Sequence, residues 1–142
     1  MPAVDPHPAS AEVAFAGAAA LATTLTHGET TSVELCEALL GRIAALDDSG
    51  PELHAVLALS NAALDEARGL DAERAVGALR GPLHGVPVLV KDNIEAVGLP
   101  GTAGSLALAG RPVTRDAPLV ARLRAAGLVL LGATNLSEWA NI

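Results

Sequence analysis

The sequence predicts an α/β fold, and three observations carry that prediction. The first 80 residues read mainly as helix, with apolar residues recurring at three- and four-residue spacings. Two short apolar runs follow in the second half, Val86–Val90 and Leu128–Leu131. Between them lie a glycine-rich loop and one helical pattern. A connection that long suits a parallel strand pair with a right-handed crossover better than a hairpin.

Taken in order, residues Met1–Pro8 hold three prolines and read as a loose lead-in. A helix is predicted from about Ala11 to Leu25, stopped at His27 and Gly28, where glycine supplies a left-handed turn. Thr31 followed by Glu34 has the capping-box pattern. Val33, Cys36, Leu40 and Ile43 form the apolar stripe of the helix that it starts. Asp47–Pro51 closes that helix, and Leu53–Leu59 reads as a strand. Ser60 can cap a further helix, interrupted at Gly69 and resumed over Asp71–Leu79. Asp65, Glu66, Arg68, Asp71, Glu73 and Arg74 read as its solvated face. Pro87 sits near the start of the Val86–Val90 strand, where proline is tolerated. Asp116 is predicted to cap a helix carrying Leu119, Val120 and Leu123, which ends at Gly127. Gly132–Asn135 leads out of the last strand. A final half-turn then has Asn135 as its cap, Ser137 in its first turn and Glu138 at its third position.

Composition excludes several function classes. The chain of 142 residues fits one domain or part of one. It is 51% hydrophobic, yet holds one Phe, one Trp and no Tyr, so its core is one of small side chains. A net charge of −7, with arginines scattered among acids, argues against nucleic acid as a partner. Ala11–Ala22 is too short and too alanine-rich to span a bilayer, and no membrane partner is expected. The first basic residue is Arg42, so a secretory signal is not evident. The single cysteine, Cys36, rules out an internal disulfide and reads as a packed thiol. Together these point to the cytoplasm.

Lys91 is the only lysine in the chain and stands directly after an apolar strand. In parallel sheets ligands sit beyond the carboxyl ends of strands. Lys91 and Thr134-Asn135 both fall there and are predicted to face one crevice. Two readings of Lys91 are open on spacing alone. In one it is a snorkelling side chain paired with Asp92. In the other it is a general base, which requires about 4 kcal/mol of disfavoured charge to leave the amine neutral near pH 7. A neutral lysine takes the proton of a serine hydroxyl directly or through a second serine.

The segments GPLHGVPVLVKDNIEAVGLPGTAGSLALAG and DAPLVARLRAAGLVLLGATNLSEWAN, with TTSVELCEALLGRIAALD upstream, resemble the amidase signature family, close to its peptide-amidase-like members. The resemblance runs from about Thr30 to the end. It implies the N-terminal part of an amidase-signature α/β/α sandwich with a mixed sheet. Residues 1–29 would then be a lead-in and helix, and residues 30–142 the N-terminal portion of the amidase domain. It also implies hydrolysis of amide C–N bonds by a serine–cis-serine–lysine triad in which Lys91 is the base. A small-molecule or peptide amide would be the substrate, with no metal and no cofactor. In the family both serines lie in a downstream Gly/Ser-rich segment, and no such run occurs in these residues. The 142 residues alone are therefore expected to be inactive, and a sheet left incomplete is expected to favour self-association through its edges. The alternative is a non-catalytic module that binds a small molecule or a protein.

Other residues read as structural. Ser105, in GTAGS, resembles a family segment commonly written TTAGS and suits a structural or substrate-lining role. His84 reads as structural and Trp139 as a packing anchor, with ligand stacking as its alternative. Where many members carry GKTN, this chain has Gly132-Ala133-Thr134-Asn135. His7, His27, His54 and His84 lack metal-ligand spacing, and Gly101–Gly104 does not make a dinucleotide fingerprint.

Overall fold

A computed structural model of the chain describes Val13 and residues 15–141. Among the described residues, the α-helices with defined bounds are α1 (Ala18–His27), α2 (Ser32–Leu46), α3 (Ala63–Ala75) and α4 (Pro118–Ala125). Three strands complete it, β1 (Val56–Leu59), β2 (Pro87–Lys91) and β3 (Val129–Thr134). The strands form one mixed sheet in the order β1-β3-β2, with β2 parallel and β1 antiparallel to the central β3.

The sheet is covered on both faces, which gives the α/β/α layering. On one face Val129, Leu131 and Leu89 pack with Cys36 of α2 and with Ala63, Ala67 and Leu70 of α3. On the other, Val90, Leu130 and Ala133 pack with Val120 of α4 and with Ala96 and Leu99 of the loop after β2. A third cluster joins Leu21 and Leu25 of α1 to Leu35 of α2 and to Val86.

The predicted capping box is present: Thr31 Oγ1 accepts from Glu34 N, and Glu34 Oε2 from Thr31 N. Gly28, at φ 70°, closes α1, its N–H reaching Leu25 O while Glu29 N–H reaches Thr24 O. Other boundaries depart from the sequence reading. Ala16 and Gly17 are not helical, and the predicted start at Ala11 lies outside the described residues. β1 begins at Val56, because Asp47 accepts from Ala55 N and Val56 N and turns the preceding segment back onto the end of α2. α3 runs unbroken through Gly69 and stops at Ala75. Asp116 does not cap α4; its carboxylate takes Val97 N–H and Arg124 Nε–H, and Ala117 holds the cap position before Pro118.

The polar face of α3 is also less solvated than expected. Asp65 and Arg68 pair with one another in solvent. Asp71, however, accepts from Ser32 N and Val33 N and so caps the start of α2 from a different helix. Arg74 Nη2 donates to His84 O at 2.5 Å, Glu73 pairs with Arg80, and Glu66 with Arg124. The hydrogen bond from Arg80 holds the Glu73 carboxyl below its usual range.

β3 continues three residues beyond the predicted Leu131 and carries a bulge. Val88 pairs with Leu130 but Leu89 pairs with Gly132, leaving Leu131 without an opposite residue. The extra residue reverses the alternation, so that Ala133 joins the face of Leu130 rather than that of Leu131. β1 has its own irregularity at Leu57. At this point β1 lies so close to β3 that a Cβ on Gly132 would run into the carbonyl oxygen of Ala58 and meet Leu59 Cα at 3.0 Å.

Gly132→Ala is therefore expected to destabilise the fold by about 1–3 kcal/mol, the usual cost of overpacking, read as a lower urea midpoint. A second expectation concerns Cys36, which is 0% exposed. Burial first, then the carboxylates of Asp71, Glu37 and Glu66, push its thiol up to about 12 from 9.0. At pH 8 the folded chain then holds about a thousandfold less thiolate than an ordinary cysteine would. Thiol reagents should label the native protein only as fast as it opens. Because the folded state disfavours the thiolate, this group's contribution to stability is complete below pH 9 and falls as pH rises from 9 toward 12. Urea midpoints of wild type and Cys36→Ala across that window should converge.

Candidate functional site

Lys91 is the last residue of β2, and its register partner on the parallel neighbour is Thr134, the last residue of β3. The carboxyl ends of the two strands are thus level, as the sequence reading requires. Strand alternation places Lys91 on the face of Leu89, and Val90 on the opposite face. Thr134 is half-buried and Lys91 is exposed. Lys91 ends an apolar strand, yet among the described residues nothing covers it.

Asp92 decides between the two readings of Lys91 as far as pairing is concerned. Its side chain is 1% exposed. Oδ1 accepts from Gly101 N at 2.8 Å, and Oδ2 accepts from Thr102 N at 2.8 Å and from Thr102 Oγ1 at 2.5 Å. Its backbone N–H donates to Thr134 O, and its carbonyl accepts from Ala103 N, both at 3.1 Å. The acid is committed to the loop, and the Lys91–Asp92 pair of the snorkelling reading does not form. Among the described residues, Lys91 makes no ion pair.

Asn135 is not free to face the crevice. Its Nδ2 donates to His54 O at 3.0 Å, its backbone N–H to Ala55 O at 2.8 Å, and its Oδ1 accepts from Leu136 N. It clamps the end of β3 to the residues that enter β1 rather than capping a helix. The following turn is a 3-10 turn over Glu138–Ala140, without a side-chain cap.

Ser105 is buried, donates to Glu138 Oε1 at 2.6 Å and accepts from Ala107 N. Ser137 is exposed. The two hydroxyls therefore sit in different environments, and neither shares a hydrogen bond with Lys91. Trp139 is 57% exposed at φ 56°, so it is not the packing anchor expected; its N–H donates to Ala103 O at 2.8 Å. His84 is structural, as predicted, and both ring nitrogens are used. Nδ1 accepts from Arg80 N at 3.1 Å, which leaves Nε2 as the donor to Leu70 O at 2.9 Å. The ring ties α3 to the segment that enters β2.

Sequence reasoning missed Asp92 as the loop anchor and Glu138 as the partner of Ser105. A signal for Asp92 was present: an acid directly after an apolar strand, with a glycine-rich run nine residues on, is a donor-poor chain end followed by a donor-rich loop. No comparable signal marks Glu138.

Between α2 and the sheet lies an apolar cleft of about 360 Å³, lined by Leu39, Ile43, Leu46, Pro87, Leu89 and Leu131 among others. It does not include Lys91. Among the described residues, no cluster of His, Cys, Asp and Glu could hold a metal ion, and no helix is long and apolar enough to cross a membrane. Chemically, the strand ends offer an accessible primary amine, an acid held away from it, and a hydrogen-bonded loop to one side.

The Amidase family model matches residues 34–142. The fold superposes on the peptide amidase of Stenotrophomonas maltophilia with a TM-score of 0.86 and 55% identity, covering 90% of this chain and 26% of that one. An amidase family protein from Bacillus anthracis gives a TM-score of 0.85 at 34% identity, covering 92% of this chain and 26% of that one. A glutamyl-tRNA(Gln) amidotransferase subunit from Salinispora arenicola is 49% identical over 124 residues, 87% of this chain and 25% of the relative. The chain thus spans about a quarter of the length of these relatives. With the family model matching most of its residues and the layered fold in agreement, this chain belongs to the amidase family.

Proposed function

We propose that residues 30–142 are the amino-terminal portion of an amide-hydrolysing domain and that Lys91 is its general base. The observation that carries this reading is the placement of Lys91: level with Thr134 at the carboxyl ends of parallel strands, with the neighbouring acid turned into the opposite layer. An amine with no carboxylate partner is better suited to accept a proton than one locked in an ion pair.

In the proposed reaction the amine takes a proton, relayed through a cis-serine, from a nucleophilic serine of a downstream segment. The serine oxygen attacks the amide carbonyl, the C–N bond breaks, and the leaving amine departs with the relayed proton. Water then hydrolyses the acyl ester and regenerates the serine. The same segment would cover Lys91, which is exposed in these 142 residues. The substrate class is a small-molecule or peptide amide, and the compartment is the cytoplasm. A chain holding the base without the serines or an oxyanion hole lacks the groups that dominate acyl transfer. It is therefore inactive by itself, and the free edge of β2 inclines it to self-association.

A chimera tests this directly. Residues 30–142 would replace the matching segment of the Stenotrophomonas maltophilia peptide amidase. The chimera should release ammonia from a peptide amide. Lys91→Ala should lower kcat about 10²- to 10⁴-fold, the usual contribution of a general base. The 142-residue chain alone should give no turnover. Full activity of the Lys91→Ala chimera would remove Lys91 from the mechanism, and ammonia release by the chain alone would overturn its predicted inactivity.

A further inference from the structure

The glycine-rich loop after β2 folds around an acid that belongs to the chain itself. From Gly101 to Ser105 every backbone N–H has a partner within the loop or on Asp92. Gly101 N and Thr102 N donate to the Asp92 carboxylate, and Ala103 N donates to the Asp92 carbonyl. Gly104 N donates to Thr102 Oγ1 at 3.2 Å, and Ser105 N to Thr102 O at 3.0 Å. The Thr102 hydroxyl donates in turn to Asp92 Oδ2. Successive backbone N–H groups pointing inward make a nest that suits an anion. Here the nest is filled from within.

Burial makes this arrangement consequential. A carboxylate that is 1% exposed needs charge-assisted donors to offset its lost hydration, and all three partners of the Asp92 oxygens are donors. The loop in turn is held in a conformation it would not adopt alone. Ala103 sits at φ 50°, with its N–H on Asp92 O and its carbonyl taking the Trp139 N–H. Gly104, at φ 72°, lies against the backbone of Leu136 and Ser137, where a Cβ would fall 2.9 Å from Leu136 O. Ser105 Oγ reaches Glu138 at 2.6 Å. Asp92 bonds the strand end at Thr134, and the loop it holds in turn contacts the turn at Leu136–Trp139.

We propose that Asp92 is the positioning residue of the Lys91 site, its carboxylate serving as the built-in anion that folds Gly101–Ser105 into a fixed wall beside the strand end. Two consequences follow from the hydrogen bonds. The wall has no backbone N–H left to polarise a substrate carbonyl or hold a substrate carboxylate, so it bounds the substrate by shape. And Asp92, anchored through both its side chain and its backbone, fixes the direction in which Lys91 leaves β2. The effect on rate rests on the reading of Lys91 as base; the loop architecture stands apart from it.

The experiment has two arms. In the 142-residue chain, hydrogen exchange should show protected amides at Gly101, Thr102 and Ala103. Asp92→Ala should lower that protection at least about tenfold, and sodium formate, but not sodium chloride, should restore it by refilling the nest. Asp92→Asn keeps the volume but turns an NH₂ toward the donors, and should lose protection at the same amides while its circular dichroism stays that of wild type. In the peptide amidase chimera, Asp92→Ala should lower kcat about 10²-fold, the scale of a misplaced catalytic group, leave KM within about twofold and recover with formate. Unchanged protection in both variants, or lost protection that formate fails to restore, would overturn the nest. A kcat equal to wild type in the Asp92→Ala chimera would overturn the positioning role. An inactive wild-type chimera would count against residues 30–142 as part of an amide-hydrolysing domain, while the exchange arm would still decide whether Asp92 holds the loop.

Discussion

The structure depends on β3 being buried from both sides. Val129 and Leu131 face the α2–α3 layer, and Leu130 faces the α4 layer. A strand in that position holds its neighbours by backbone bonding on both edges, so its register sets where the ends of β1 and β2 fall. The bulge at Leu131 is the adjusting element. It lets a continuous apolar run feed both layers, and it brings Thr134 level with Lys91. Gly132 makes the close approach of β1 possible, and a methyl group there would collide with main chain rather than with a movable side chain.

A second theme is the use of aspartates as joints between elements. Asp71 of α3 caps α2, Asp47 holds the end of α2 to the start of β1, and Asp92 holds the loop after β2. In each case one carboxylate accepts two successive backbone N–H groups. Such groups would otherwise be left without partners at a helix start or a loop, and a charged acceptor makes a stronger bond to them than a neutral one. Part of the negative charge of −7 is therefore internal structure, which net charge by itself cannot reveal.

The same joints account for what could be anticipated and what could not. The capping box at Thr31 and Glu34 was legible because all its partners lie within four residues. The parallel pairing of β2 and β3 was legible from the length of the connection. Gly69 reads as a break in the sequence and is not one: α3 is held there by its buried neighbours Ala67 and Leu70 against β3, and packing outweighs glycine's modest helix penalty. Asp116 reads as a cap, yet it serves Val97 and Arg124, partners far off in sequence. Lys91 does stand at a strand end, but its exposure, and the backbone N–H groups of Gly101 and Thr102 that take up Asp92, are set by how the chain closes in three dimensions.

Residue order alone was enough for the class of fold, the family, and the position of a single lysine after an apolar strand. Those follow from short-range periodicity and from a long run of matching residues, both local properties of the chain. Folding in three dimensions was needed to turn Asp92 away from Lys91, to close the glycine-rich loop on that acid, and to level the strand ends through a bulge in β3. Each of these arises from hydrogen bonds and packing between segments remote in sequence. Their outcome depends on which donors remain unpartnered once the layers have closed.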